Sequence, residues 1–129
     1  MKLSEAILAG TKYRPQTHGS LFKCHIRDEH SYEYSSCALG AAYEGFCRQD
    51  DKDFNPAHMI GVGISDGIIH ELRERFSILD VEIEVDRPGY IASVKRKVID
   101  QIIFMNDQFN MSRENIAAWV ANKEKELNY

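Results

Sequence analysis

The sequence predicts an α+β fold: a mostly helical, single compact domain over residues 1–129, with one small antiparallel β-hairpin. Most apolar residues recur at the three-to-four-residue spacing of helices, as in Val94, Val98 and Ile102. In one stretch the apolar residues instead occur at every second position, which is the period of a half-buried strand. Helical runs interrupted by one strand pair do not favour a parallel βαβ sheet. The chain has 129 residues, 43% of them hydrophobic, which is enough for one domain with its own core.

The first predicted helix runs from Leu3 to Ala9, and we expect Gly10 to end it in a left-handed conformation. An extended segment follows at Arg14-Pro15, because the residue before a proline avoids helical angles. The alternating pattern comes next and predicts the hairpin. We expect its first strand to point one face inward and its second strand to pair tyrosines across to the first. The residues of this pattern are Phe22, Cys24 and Ile26, then Tyr32 and Tyr34.

The second predicted helix runs from Cys37 to Arg48, with Ser36 as its N-terminal cap. Gly40 inside a helix costs about 1 kcal/mol relative to alanine. Close approach of another backbone would offset that cost, so we expect this helix to pack tightly. Its small residues could instead form a homodimer surface, with Ala38, Ala42 and Gly45 at the contact.

Weaker signals occupy the middle of the chain. Asn55-Pro56 resembles a cap followed by a first-turn proline. Ser65 or Asp66 could open a helix whose apolar side carries Ile68, Ile69, Leu72 and Phe76. Alternation from Val81 to Val85 indicates a short edge strand or an extended connector, and Arg87-Pro88-Gly89 indicates a turn.

The last two helices have the clearest patterns. One is predicted from Tyr90 to Met105 and ends at Asn106-Asp107. The other begins after Ser112, whose hydroxyl suits a cap, and it carries Trp119 as a core anchor.

Charge and cysteine usage limit the class of protein. The net charge of −4 disfavours a nucleic-acid binder, which usually carries a basic excess. Lys95-Arg96-Lys97 would spread around the predicted helix rather than form one patch. The N-terminus shows no apolar signal region and no run reaches membrane-spanning length, so we expect a soluble, cytoplasmic protein that does not bind membranes. Three cysteines without a C-x-x-C pair fit reduced thiols better than disulfides.

Several short motifs resemble a family of small uncharacterised proteins from bacterial and bacteriophage genomes. Members typically begin with a Leu-Ser-Glu-Ala-Ile helix and continue through Arg-Pro-Gln, Gly-x-x-Phe and Ser-Cys-Ala-Leu-Gly-Ala-Ala. They close with Asn-Asp and a Ser/Thr-Arg-Glu-x-Ile-Ala-x-Trp helix. The matching segments cover about a third of this chain: Leu3 to Ile7, Arg14 to Gln16, Gly19 to Phe22, Ser36 to Ala42, Asn106-Asp107 and Ser112 to Trp119.

The resemblance implies a shared fold and no particular activity. A fold alone does not establish a function. Some members carry a C-P-x-C-like element, which this chain lacks, so no zinc site is implied for it.

Of the candidate residues, Cys37 has the side chain that most resembles a reactive nucleophile. A thiol in the first turn of a helix lies near unpaired N–H groups, which can lower its pKa. The more ordinary interpretation is a small buried residue that lets two helices approach closely. A metal cluster of Cys24, His25, His30 and Cys37 is disfavoured, because adjacent strand residues point to opposite faces.

We select six candidate ligand-binding residues and expect neither a metal nor a cofactor. Asn106-Asp107 could hold a ligand at a helix C-terminus, or could simply stop the helix by bonding nearby backbone. Arg113 could equally be a surface or capping residue. The six candidates are His18, Ser36, Cys37, Asn106, Asp107 and Arg113.

The resulting hypothesis is a non-enzymatic binding protein, of the kind phages use as accessory factors, that engages a host protein or a small ligand. It rests on missing signatures: the sequence has no phosphate loop, no metal-ligand spacing and no nucleophile motif. The alternative is a small hydrolase or transferase that uses Cys37 or a His18–Asp107 pair.

Overall fold

Five α-helices and two separate two-stranded antiparallel sheets make up the described part of the chain. They are seen in a computed structural model that describes residues 1–61, 63–86, 89 and 92–129. The predicted α+β, mostly helical architecture is confirmed, and the second sheet is an addition to it. The elements are α1 (Leu3–Thr11), β1 (Phe22–Asp28), β2 (Ser31–Ser36), α2 (Ala38–Gln49), α3 (Ile64–Arg75), β3 (Glu82–Val85), β4 (Val94–Lys97), α4 (Val98–Asp107) and α5 (Arg113–Glu126).

Helices α1 and α2 pack with their backbones almost in contact. A Cβ built on Gly10 would lie 1.7 Å from the carbonyl oxygen of Ala41, and one on Gly45 would lie 2.1 Å from that of Ala6. Gly40 likewise lies against the Leu21 carbonyl, 2.3 Å from such a Cβ. The predicted close approach at α2 is confirmed. The expectation that Gly10 ends α1 is wrong, because the helix continues to Thr11 and this glycine serves the packing.

The small-residue side of α2 is already covered by its own chain. Ala38 and Ala42 are fully buried, and Gly45 is buried as well. A homodimer built on these three residues is therefore wrong, since α1 and its neighbours occupy that surface. The Ala-rich stretch provides intramolecular packing instead.

The first hairpin extends into solvent instead of lying on the core. Its register pairs Cys24 with Tyr34 and Ile26 with Tyr32, so the predicted strand pairing is confirmed. The predicted inward face is wrong beyond Phe22, since Ile26 is 75% exposed and Tyr32 is 61% exposed. The buried residue Phe22 packs beside Phe54 at the hairpin base.

The second hairpin replaces the first half of a predicted helix. Val94–Lys97 forms β4, and α4 begins only at Val98, so the helix predicted from Tyr90 is wrong over Val94–Lys97. Glu82 pairs with Lys97 and Glu84 with Lys95 across the strands, which places opposite charges side by side. The cluster Lys95-Arg96-Lys97 thus lies on a strand and not on a helix. Tyr90 and Ile91 of the predicted helix, and Arg87-Pro88 of the predicted turn, lie outside the described residues.

The caps predicted at Ser112 and Asn55 are confirmed, whereas the starts of α2 and α3 are shifted by one or two residues. The Ser112 hydroxyl accepts a hydrogen bond from the Asn115 N–H at 3.1 Å, which confirms it as the cap of α5. Asn55 caps the short 3-10 helix Pro56–Met59 in the same way. At α2 the cap is Cys37 rather than Ser36, because the Cys37 sulfur accepts from the Gly40 N–H. Helix α3 begins at Ile64, just before the predicted start, after Gly63 in a left-handed conformation.

A buried carboxylate fixes the segment before the first hairpin to α2. Glu44 is fully buried, and its oxygens accept from Arg14 Nε at 2.6 Å and Arg14 Nη2 at 2.7 Å. Arg48 Nε donates to the same carboxylate at 2.8 Å. The Arg48 guanidinium also lies 4.0 Å from the centre of the Tyr13 ring. Two arginines therefore neutralise one carboxylate in the interior.

Helix α5 closes the core against α1. Its buried apolar residues, Ile116, Ala117 and Val120, join the same cluster as those of the other four helices. Trp119 is half-buried and packs against that cluster. The buried Glu124 accepts a hydrogen bond from the Ser4 hydroxyl at 2.5 Å, which links residues 120 positions apart. In the described residues, no helix is long and apolar enough to cross a membrane.

Candidate functional site

A cleft of about 250 Å³ opens where the N-terminus of α2 meets the C-terminal half of α4. The loop Gly19–Leu21 forms one wall, and Ser65 and Ile69 of α3 form another. Its lining is mainly aliphatic, with a few polar groups. The aliphatic side chains are Leu21, Ala38, Leu39, Ile69, Ile102 and Ile103, and the polar groups include Ser65, Asn106 and Asp107.

Asn106 positions the start of α2 from the opposite side of the cleft. Its Oδ1 accepts from the Ala38 N–H at 3.1 Å and from Gln16 Nε2 at 2.9 Å. Its Nδ2 donates to the Thr17 carbonyl at 2.9 Å and to Asp107 Oδ1 at 2.8 Å. A side-chain amide has two donor hydrogens and two acceptor lone pairs, and all four are used here. A ligand could bond this amide only by displacing one of these partners.

Arg113 is buried and joins α5 to the beginning of α2. Its Nη1 donates to the Ser36 hydroxyl at 2.9 Å, and its Nη2 donates to the Arg14 carbonyl at 2.6 Å. The interpretation of Arg113 as a surface residue is wrong, because only 5% of it is exposed. Burial lowers the pKa of its guanidinium. Ser36 is fully buried beside it, and neither residue lines the cleft.

Of the polar groups of the cleft, Asp107 has the greatest remaining capacity to accept hydrogen bonds or pair with a cation. It is the last residue of α4 and is half-buried. Its Oδ1 accepts from the Gly19 N–H at 3.0 Å as well as from Asn106. Among the described residues, no arginine, lysine or histidine makes an ion pair with it. The carboxylate thus has neutral donors on one side and no opposing charge.

The Cys37 thiol lines the cleft but is poorly suited to nucleophilic attack. It is 8% exposed, and burial raises its pKa to about 11. The N–H groups of Gly40 and Leu39 act in the opposite direction and are outweighed. The neighbouring negative charge of Asp107 raises the pKa further. The thiol is therefore protonated at neutral pH, which argues against the hydrolase alternative.

Alkylation should separate the cysteines by their exposure. At pH 7 a pKa of about 11 leaves roughly one thiolate in ten thousand, against about three in a hundred for a free cysteine. We expect iodoacetamide to modify Cys37 at least about 100-fold more slowly than free cysteine, while the exposed Cys24 reacts first. Peptide mass spectrometry over time measures both rates. Labelling of Cys37 as fast as Cys24 in the folded protein would contradict this interpretation.

His18 does not form the pair considered for catalysis. Asp107 Oδ1 bonds the backbone N–H of Gly19 and the Asn106 amide, and no hydrogen bond joins it to the His18 ring in the part of the chain described. The His18 Nε2 atom is buried without a hydrogen-bond partner there. His18 also lies outside the cleft lining. Within the same residues, no group of three or more histidine, cysteine or acidic side chains is arranged to hold a metal ion.

Five of the six candidates thus lie in one neighbourhood, but in two layers. Cys37, Asn106 and Asp107 line the cleft, whereas Ser36 and Arg113 lie behind it. Gln16 was not among the candidates, although its Nε2 donates to Asn106 Oδ1 at 2.9 Å and to the Met111 carbonyl at 2.8 Å. The apolar wall formed by Ile69 and Ile103 was not predicted either.

Comparisons of this chain with protein-family models, with curated proteins and with solved structures found no match. What the cleft can bind is therefore argued from its own residues.

Proposed function

We propose that this chain is a non-enzymatic binding protein whose cleft accepts a small, largely apolar ligand. The observation that carries the proposal is the cleft itself, a mainly aliphatic concavity between three helices that also holds a few polar groups. Ligand sites commonly combine an apolar lining with a few placed polar groups. The volume of about 250 Å³ lies just below the range of about 300–1,000 Å³ typical of drug-sized ligands. The ligand is accordingly small.

The chemistry of the cleft supports binding rather than catalysis. The Cys37 thiol has a raised pKa, the Asn106 amide is saturated with hydrogen bonds, and Asp107 lacks a histidine partner. General acid–base catalysis needs a group within hydrogen-bond reach of the reacting proton and a pKa near the working pH. Three unpaired cysteines support a reducing compartment, consistent with a cytoplasmic protein.

Filling the cleft should abolish binding of a neutral apolar probe. Ser65 lies at the start of α3 and lines the cleft, so Ser65→Leu would place an isobutyl group in its opening. We expect 1-hexanol to shift the backbone amide signals of Gly19, Leu39 and Ile103 in the wild type, in a nitrogen–proton correlation spectrum. The Ser65→Leu variant should lose at least about 80% of these shifts, since its side chain occupies the same apolar space.

Ser77→Leu is the matched control, because Ser77 is exposed and lies outside the cleft lining. It should bind 1-hexanol like the wild type. If 1-hexanol and n-hexylammonium both leave every cleft amide unmoved, the small-ligand proposal fails. A protein partner contacting the exposed apolar pair Ile26 and Tyr32 would then be the better hypothesis.

A further inference from the structure

We infer that the ligand carries a positive charge, and that Asp107 pairs with a primary ammonium group on a short apolar chain. This inference rests on the proposed function and assigns a chemical class to the ligand. Its basis is the contrast between the mainly aliphatic cleft and Asp107, the one carboxylate among the described residues that line it.

Within the described residues, the hydrogen bonds of Asp107 bring no positive charge to its carboxylate. Both donors that reach Oδ1, the Gly19 N–H and the Asn106 amide, are neutral. All eight ion pairs in the described part of the chain involve other residues. A half-buried carboxylate beside apolar surface interacts with an opposite charge more strongly than a fully solvated one does.

The two helix termini at the cleft do not supply the missing charge. The N-terminus of α2 contributes a partial charge of about +0.5, and the C-terminus of α4 contributes about −0.5. Both ends line the cleft, through Cys37 to Leu39 and through Asn106 and Asp107. The partial charges offset each other, so the full charge of Asp107 remains. In addition, the Ala38 N–H at the α2 terminus is already bonded to Asn106.

The position of Asp107 also defines the shape of the ligand. The aliphatic residues Ile69, Ile102 and Ile103 lie in the same cleft as the carboxylate. A ligand that satisfies both has one cationic end and a compact hydrocarbon body. A volume of about 250 Å³ suits a chain of a few carbons and excludes a long lipid.

Three six-carbon probes of equal length test the inference: n-hexylammonium, 1-hexanol and hexanoate. We expect hexylammonium to bind the wild type about twofold to fivefold more tightly than hexanol, as for a partly exposed ion pair. Hexanoate should bind most weakly, because its charge has the same sign as that of Asp107. Dissociation constants come from the cleft amide shifts.

Asp107→Asn should remove the preference for hexylammonium over hexanol. The asparagine keeps the Oδ1 atom that accepts from Gly19 and Asn106, while the negative charge is lost. Asp53→Asn is the control, because Asp53 is an exposed loop residue outside the cleft lining. It removes one negative charge, as Asp107→Asn does, and should keep the preference.

The wild type provides an independent measurement that needs no variant. The hexylammonium-to-hexanol preference should fall as NaCl rises from about 0.01 M to 1 M, where the Debye length shrinks from about 30 Å to 3 Å. Equal binding of hexylammonium and hexanol would overturn the charge inference and leave the proposed function standing. A preference that survives in a folded Asp107→Asn variant would also overturn the inference. If none of the three probes binds, the proposed function fails as well.

Discussion

Replacing Gly10 by alanine should lower the free energy of unfolding by about 3–5 kcal/mol, at the upper end of what overpacking costs. The new methyl group would lie 1.7 Å from the Ala41 carbonyl oxygen, a backbone atom that no rotamer change can move. Helices α1 and α2 would have to separate, and the packing around Ala6 and Gly45 would loosen with them. Urea denaturation followed by circular dichroism measures the change.

Gly67→Ala is the control for this prediction. Gly67 lies in α3, and a Cβ there meets no atom within 4 Å. The substitution should raise stability by about 0.5–1 kcal/mol, since alanine favours the helix more than glycine does. If Gly10→Ala and Gly67→Ala had the same effect, close packing of α1 on α2 would not be a determinant of the fold.

Removing the buried carboxylate of Glu44 should cost about 3–5 kcal/mol, because it leaves a buried charge without its partner. In the Glu44→Met variant the Arg14 guanidinium, 11% exposed, would lose both hydrogen bonds to the carboxylate. Arg14→Met should cost less, about 1–3 kcal/mol, because Glu44 loses two donors but keeps its bond to Arg48 Nε at 2.8 Å. The double variant should cost clearly less than the sum of the two, since apolar groups can replace a buried ion pair with little loss.

Arg48→Met provides the comparison for the Glu44 series. The Arg48 side chain is 41% exposed, so water can solvate what it leaves behind. We expect it to cost about 1 kcal/mol or less, the usual range for exposed pairs. A Glu44→Met variant as stable as Arg48→Met would show that Glu44 is solvated in solution and not part of a buried network. Chemical denaturation of all four variants gives the required values.

The close packing of α2 was predictable from the sequence, because small residues within a helix indicate that another backbone lies close to it. Glycine within a helix is unfavourable, and Gly40 therefore indicated a close neighbour before any fold was known. The cap at Ser112 was equally local, since the hydroxyl and the bonded Asn115 N–H lie three residues apart. Features determined within one turn of helix were thus accessible from the sequence.

The second hairpin was missed because its two partners are distant in sequence. Val94, Val98 and Ile102 fit a helical period, and nothing local shows that Lys95 and Lys97 pair with Glu84 and Glu82. The period of two and the period of about four coincide at Val94 and Val98. Strand pairing decided between them, and pairing is a tertiary property.

Only part of the candidate site was predicted, because the rest of it also depends on tertiary structure. Cys37 and Asp107 were found because each belongs to a motif at a helix end. Ile69 and Ile103 give no local signal of a site, since an aliphatic residue on a helix is usually a core residue, and Ser65 indicated only a helix start. Only the packing of α3 and α4 around the loop Gly19–Leu21 makes these side chains a cleft.

The bond between Ser4 and Glu124 has a consequence for synthesis of the chain. Helix α1 needs α5 to complete its buried side, yet α5 is translated more than a hundred residues later. Until then the apolar face of α1 can be covered only by α2, and the Ser4 hydroxyl has no carboxylate partner. Loops that close over such separations form slowly, which leaves the nascent protein dependent on its late residues for a finished interior.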